Sequence, residues 1–135
     1  MARGGRSARV ADLSWAVRTE GRSLWSRNAV PGVAVRGERL KRRRGEEWRQ
    51  WSPRRSKLAA GLLRSKGDKG FLLPEPGATT LYLGAGHGST TSYLHDHLCG
   101  AQNERGGCIV AVDISPRCMR DLVRLAEVRS GLVPV

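Results

Sequence analysis

Two patterns of apolar and polar positions meet near residue 78. The later one is regular. TTLYLG (79–84) is a short run of β-formers, and TTSYLHDHL (90–98) places Tyr93, Leu94 and Leu98 along one side of a helix. GGCIVAVD (106–113) is a continuous apolar run bounded by turn residues, the pattern of a strand buried in a parallel sheet. In SPRCMRDLVRLAEVRS (115–130), Met119, Leu122, Val123 and Ala126 recur at i, i+3, i+4 and i+7, with Ser115 and Pro116 as a helix start. LVPV (132–135) reads as a further strand. The predicted order is β-α-β-α-β, half of a doubly wound α/β sheet.

Before residue 78 the pattern is weaker. Residues 1–20 are rich in Arg, Gly and Ser with little periodicity, so 1–27 reads as a mobile basic arm or as poorly fitted strands. AVPGVAVRGERL (29–40) alternates Val33 and Val35 behind a Pro-Gly turn, which predicts a strand. EEWRQW (46–51) resumes an extended pattern. The segment 33–51 is therefore expected to be a hairpin with the run Lys41, Arg42, Arg43, Arg44 at its tip. It belongs to a small β unit over 28–51. SPRRSKLAAGLLRSK (52–66) predicts a helix with Ser52 as cap, Pro53 in the first position, and Leu58, Leu62 and Leu63 on its apolar side. Lys57, Gly61 and Arg64 share another side. GDKGFLLPEPG (67–77) reads as a connector into a domain spanning 52–135.

Composition adds a charge asymmetry. The chain has 135 residues and a formal net charge of +12. Residues 1–70 hold 19 basic and 6 acidic side chains, while 71–135 hold 5 and 6. One reading is a solubilising surface. The one-sided cluster favours a polyanion, since Lys and Arg that neutralise phosphates release counterions. No apolar run approaches the roughly 20 residues of a membrane span, and the N-terminus has no apolar signal core. A soluble intracellular chain is expected. Cys99, Cys108 and Cys118 form an odd set without CxxC spacing, which argues against a disulfide framework and against a metal site.

Candidate chemistry gathers after the first regular strand. Gly84, Gly86 and Gly88 stand between a strand and a helix, where glycine lets backbone approach a ligand at the amide-rich helix start. The dinucleotide pattern would need glycine at 89, which is Ser89; GxGxG is instead the spacing of adenosylmethionine-binding methyltransferases. Asp113 ends the next strand, where a carboxylate can accept both hydroxyls of a ribose or help to cap the following helix. Ser89 and Thr90 can cap their own helix or contact a cofactor carboxylate. His87 lies inside the loop. His95 and His97 diverge in direction and are expected at surface or cap positions.

EEWRQWSPRRSKLAAGLL, LYLGAGHGSTTSYLHD and AVDISPRCMRDLVRLAE resemble consecutive signatures of the fibrillarin family of RNA 2′-O-ribose methyltransferases. NAVPGVAVRGERL is similar to that family's small N-terminal β domain. The resemblance runs from about residue 28 to the C-terminus. It implies a small β domain followed by a Rossmann-like domain that binds S-adenosyl-L-methionine. It also implies methylation of rRNA or tRNA ribose directed by a box C/D guide RNA, beside a Nop-type scaffold protein and a kink-turn-binding protein. By position, Gly84, Gly86, Gly88, Ser89 and Thr90 would contact cofactor, and Asp113 and Ile114 would flank its ribose and adenine. Lys57 would be the first member of the family's Lys-Asp-Lys-His group, with Lys41, Arg42, Arg43, Arg44, Arg54 and Arg55 on RNA. GAGHGST departs from the usual loop at His87 and Ser89. The later acidic cofactor contact, Asp, second Lys and His of the family have no counterpart in these residues. The expectation is a one-walled site, inactive alone. The competing expectation is a non-enzymatic RNA- or scaffold-binding remnant that uses exposed Trp and Arg side chains. Only ARGGR at 2–6 echoes the Gly/Arg arm of eukaryotic relatives, which implies a cytoplasmic, archaeal-type protein, nucleolar if eukaryotic.

Overall fold

The computed structural model describes residues 9–65 and 72–135. ARGGR at 2–6, the last residue of the helix expected over 52–66 and much of the connector expected over 67–77 lie outside the described residues. Five antiparallel strands come first: β1 (Val10–Asp12), β2 (Val17–Glu20), β3 (Ser23–Arg27), β4 (Leu40–Arg43) and β5 (Glu46–Gln50). Their order is β1-β2-β3-β5-β4. Of the two readings of residues 1–27, the described part takes strands, with Leu24 and Trp25 of β3 buried in the middle of the sheet.

Val33 and Val35 do not form the expected strand, because side chains take the backbone donors of the loop 28–39. Gly32 N–H donates to Glu47 Oε2 (2.6 Å), and Val35 and Arg36 N–H donate to the Glu38 carboxylate at 2.9 and 2.7 Å. Such local bonds compete with a ladder. The hairpin is therefore β4 and β5 alone. It turns at Arg44 (φ 51°) and Gly45 (φ 82°), the paired positive φ values of a type I′ turn. Trp25, Trp48 and Trp51 are buried rather than exposed. Arg18 lies 3.9 Å above Trp48 and Lys41 lies 4.0 Å above Trp25, so these indoles pack beneath cations of their own sheet.

Helix α1 (Lys57–Arg64) begins later than expected, and its cap is Ser56, whose Oγ accepts from Ala59 N–H. Ser52 instead closes a turn, accepting Arg54 N–H on its side chain and Arg55 N–H on its carbonyl. A parallel sheet follows, β6 (Thr79–Leu83), β7 (Cys108–Val112) and β8 (Leu132–Pro134), in the order β6-β7-β8. Its crossovers are α2 (Ser89–Leu98) and α3 (Pro116–Val128), the latter started by Ser115 and Pro116 as the sequence predicts. The architecture is α/β.

One face of the parallel sheet is covered and the other is open. Ile109, Ala111 and Leu132 are buried with Tyr93, Leu94, Leu98 and Leu122. On the opposite face, Leu81, Val110 and Val133 stand in register, and Leu83 and Val112 form the next row. There Leu81 is 63% and Leu83 70% exposed.

The two sheets are joined through buried charge. Asp96 of α2 receives Arg49 Nε (3.1 Å) and Ser26 Oγ (2.7 Å) on one oxygen, and Arg129 Nη1 (2.7 Å) and Ala29 N–H (2.9 Å) on the other. Arg49 also reaches Glu38 (2.8 Å) and Ser92 Oγ (2.8 Å). Two guanidinium groups thus face two carboxylates, the condition under which buried ions are tolerated. His95 and His97, expected at surface or cap positions, are buried. His95 Nε2 lies 2.8 Å from Ser130 O, while His97 lies 2.6 Å from Pro74 O and 2.9 Å from Ser14 Oγ. Neighbouring elements supply their polar partners, so α2 is enclosed on every side. Among the described residues, no helix is long and apolar enough to cross a membrane, and no cluster of His, Cys, Asp or Glu could hold a metal ion.

Candidate functional site

The loop between β6 and α2 needs its glycines for two different reasons. Gly84, Gly86 and Gly88 all have positive φ, at 74°, 65° and 94°. A Cβ at Gly84 or Gly86 would meet no atom within 4 Å, so both border open space. A Cβ at Gly88 would lie 2.3 Å from Leu125 Cδ1 and 3.1 Å from Leu122 Cδ2. Gly88 therefore serves the close approach of α2 to α3, whereas Gly84 and Gly86 face open space.

Asp113 holds this loop. Its carboxylate accepts Gly86 N–H at 2.8 Å on one oxygen and Ser115 N–H at 2.9 Å on the other. The two backbone donors, Ser115 first, hold its carboxyl below the usual range, so it is an anion with further lone pairs for ligand hydroxyls. Ile114 beside it is almost fully exposed, offering an apolar surface at the same strand end.

Lys57 comes to the loop through the cap of its own helix. Ser56 Oγ lies 2.9 Å from Thr90 Oγ1, which ties the start of α1 to the start of α2. Lys57, Tyr82, Ala85, Gly86, Ser89 and Thr90 then line one cavity of about 520 Å³, together with Arg36, Arg55, Leu58 and His87. Ser89 O accepts from Ser92 Oγ (2.7 Å), which also takes Arg49, so this wall is continuous with the buried Asp96 centre. His87 Nδ1 lies 2.6 Å from Asp121 Oδ2 of α3, fastening the loop's exposed side.

The cationic residues separate into two groups. Lys41 and Arg43 both pair with Glu20, and Arg42 donates to Gly45 O at 3.3 Å. Arg44 marks the hairpin turn. Arg54 and Arg55 occupy the turn ahead of α1, with Arg55 bordering the Lys57 cavity. Arg36 also borders that cavity, although its segment reads as a strand; the Arg-Gly pair at 36–37 is the signal that it sits in a turn. Asp96 gives only a faint signal, an acid between two histidines in a helix whose polar residues outnumber its apolar ones.

The residues present suit S-adenosyl-L-methionine. A glycine loop bordering open space, an anionic acceptor at the next strand end and an exposed apolar residue beside it match amino-acid, ribose and adenine parts in turn.

The fibrillarin family model matches residues 7–135. A fibrillarin-like rRNA/tRNA 2′-O-methyltransferase of Thermococcus onnurineus is 44% identical over 110 residues, 82% of this chain and 45% of the relative. The rRNA 2′-O-methyltransferase fibrillarin 1 of Arabidopsis thaliana is 41% identical over 118 residues, 84% of this chain and 36% of the relative. The crystal structure of Aeropyrum pernix fibrillarin with natively bound S-adenosyl-L-methionine superposes with a TM-score of 0.80 at 35% identity, covering 96% of this chain and 56% of that one. A fibrillarin/Nop5p complex superposes with a TM-score of 0.71 at 30% identity, covering 93% and 52%. The chain spans about half the length, or less, of the curated relatives it matches. Matched by the family model over residues 7–135, the chain belongs to the fibrillarin family.

Proposed function

We propose that this chain carries the cofactor-binding wall and the first catalytic lysine of an RNA 2′-O-ribose methyltransferase. The carrying observation is that Lys57 and the glycine loop line one cavity. S-adenosyl-L-methionine, bound in the Aeropyrum relative, supplies an electrophilic methyl group. Asp113 accepts its ribose hydroxyls, Ile114 lies against its adenine, and Gly84, Gly86, Ser89 and Thr90 border its amino-acid part, while Gly88 lets α2 seat against α3. A ribose hydroxyl is a poor nucleophile. The Lys57 ammonium orients it and stabilises negative charge on its oxygen as the O–CH3 bond forms and the S–CH3 bond breaks, the hydroxyl proton passing to solvent water.

The substrate is rRNA or tRNA, selected by a box C/D guide RNA and held by Arg54, Arg55 and the 41–44 run. A Nop-type scaffold is supported by the fibrillarin/Nop5p complex, and a kink-turn-binding protein completes the particle. It works in the cytoplasm of a prokaryote or the nucleolus of a eukaryote. Turnover by these 135 residues alone is small, because a doubly wound sheet binds ligand in a crevice between two halves. The exposed Leu81 and Leu83 mark a face that a second wall would cover. That open apolar face also favours the scaffold-binding form of the second reading, a non-enzymatic module.

Guide-directed transfer of labelled methyl groups tests the proposal. With guide RNA, scaffold and kink-turn protein, this chain alone gives background transfer. Adding the C-terminal half of the Thermococcus onnurineus relative as a separate polypeptide raises it. Full turnover without that addition contradicts the need for a second wall, and background with it contradicts the methyltransferase reading.

A further inference from the structure

Next to the Lys57 cavity lies a second cleft, of about 420 Å³, between the 36–39 turn and the 52–55 turn. The two share Arg36, Arg55 and Ser89 as lining residues, so they adjoin. Arg39 and Arg54 complete the second cleft's cationic rim. One acid, Glu38, is in its lining, but both its oxygens are committed. They take Val35 N–H, Arg36 N–H and Arg49 Nη1, and despite the opposing effect of burial these donors hold its carboxyl below the usual range. Arg49 in turn is neutralised by Asp96. Four arginines therefore border a cleft whose acid is already paired, and one of them, Arg36, also lies 3.8 Å from Asp121 at the neighbouring loop. Among the described residues, Arg39, Arg54 and Arg55 have no carboxylate at ion-pair distance.

The rim is also held in place. Arg55 Nη1 donates to Arg36 O at 3.2 Å, and Arg36 Nη2 donates to His87 O at 3.1 Å. The 35–38 backbone is fastened through Glu38 and Arg49 to the buried Asp96. A cationic cleft anchored in this way loses little freedom on taking an anion.

We propose that this cleft seats RNA backbone phosphates next to the nucleotide whose ribose enters the Lys57 cavity. The inference rests on the methyltransferase reading for the position of the reactive ribose, and it adds Arg36 and Arg39 to the RNA surface. RNA is favoured over an acidic protein because the cleft runs into the cavity that holds the reacting hydroxyl, where a neighbouring phosphate must pass. Guanidinium forks match phosphate oxygens in pairs.

Fluorescence anisotropy of a labelled RNA 20-mer across a salt series tests this with the whole chain. Each phosphate contact contributes about 0.7–0.9 to the slope of log K against log salt. The double variant Arg39→Gln/Arg54→Gln should lower the slope by about 1.5, the sum for two contacts. The charge-matched control Arg22→Gln/Arg120→Gln, at exposed positions of the β2–β3 turn and α3, should leave it unchanged. An equal fall in both variants, an unchanged slope in the first, or no RNA binding at low salt overturns the cleft assignment. So does polyglutamate binding as tightly as RNA of equal charge, which would assign the cleft to an acidic protein. Inorganic phosphate should compete no better than chloride at equal ionic strength; selective competition would assign the cleft to a free anion and overturn the proposal. Cofactor affinity, measured alongside, should not change in either variant. A cofactor failure without a slope failure would strike the methyltransferase reading and leave the cleft standing.

Discussion

Both oxygens of the Asp96 carboxylate are engaged by two donors each, at the centre of the molecule. Burial alone would push its carboxyl up; Arg49 and then Arg129 outweigh that and hold it down. His95 and His97 flank it in sequence with the opposite bias. Desolvation lowers both below their ordinary value of 6.5, more than the carbonyls of Ser130 and Pro74 can restore. Just below pH 6.5 the unfolded chain therefore takes up more proton at these two rings than the folded chain does. A depressed histidine therefore weakens the fold as pH drops below 6.5, and the loss ends below its folded value. The slope is at most about 1.4 kcal/mol per pH unit for each histidine. Urea midpoints between pH 7.5 and 5 should fall with acid, and His95→Gln/His97→Gln should flatten that dependence. The carboxylates Asp96 and Glu38, held below 3.8 and 4.5, lose their contribution only in stronger acid.

The second half of the chain was legible at the scale of elements because each segment there carries one dominant signal. The run over 106–113, the 3.6-residue period after Ser115 and the glycine loop each matched what formed. The first half was not. Val33 and Val35 alternate, yet Glu38 and Glu47 take the loop's amides, and no local period reports a partner several residues away. Ser52-Pro53 has the form of a helix start, but Ser56 caps the helix, with Thr90 beside its hydroxyl. The candidate site was legible as residue types, Lys57, the glycine loop and Asp113. It was not legible as an assembly, because the Ser56–Thr90 contact spans 34 positions. Nor did the sequence separate the roles of the three glycines. Gly88→Ala should cost about 2 kcal/mol or more, from a left-handed backbone and a clash with α3. Gly86→Ala, with only the backbone term, should cost about 1–2 kcal/mol. Equal losses in urea unfolding would contradict that division.

For the whole molecule, the charge asymmetry now has a structural meaning. The basic half is a sheet in which Trp25 and Trp48 lie buried under its own cations, with Arg36 and Arg55 at turns beside the Lys57 cavity. The nearly neutral half is a parallel sheet that brings Asp113 and the glycine loop together and leaves Leu81 and Leu83 uncovered. The central claim is that this arrangement is one wall of a cofactor site. Calorimetric titration with S-adenosyl-L-methionine tests it most directly, comparing the native chain, Asp113→Ala and the exposed control Glu127→Ala. The native chain and the control should bind alike, and Asp113→Ala should bind about tenfold more weakly or worse, as expected for a lost hydrogen bond to a carboxylate. Equal affinity for Asp113→Ala, or no binding by the native chain, would contradict it.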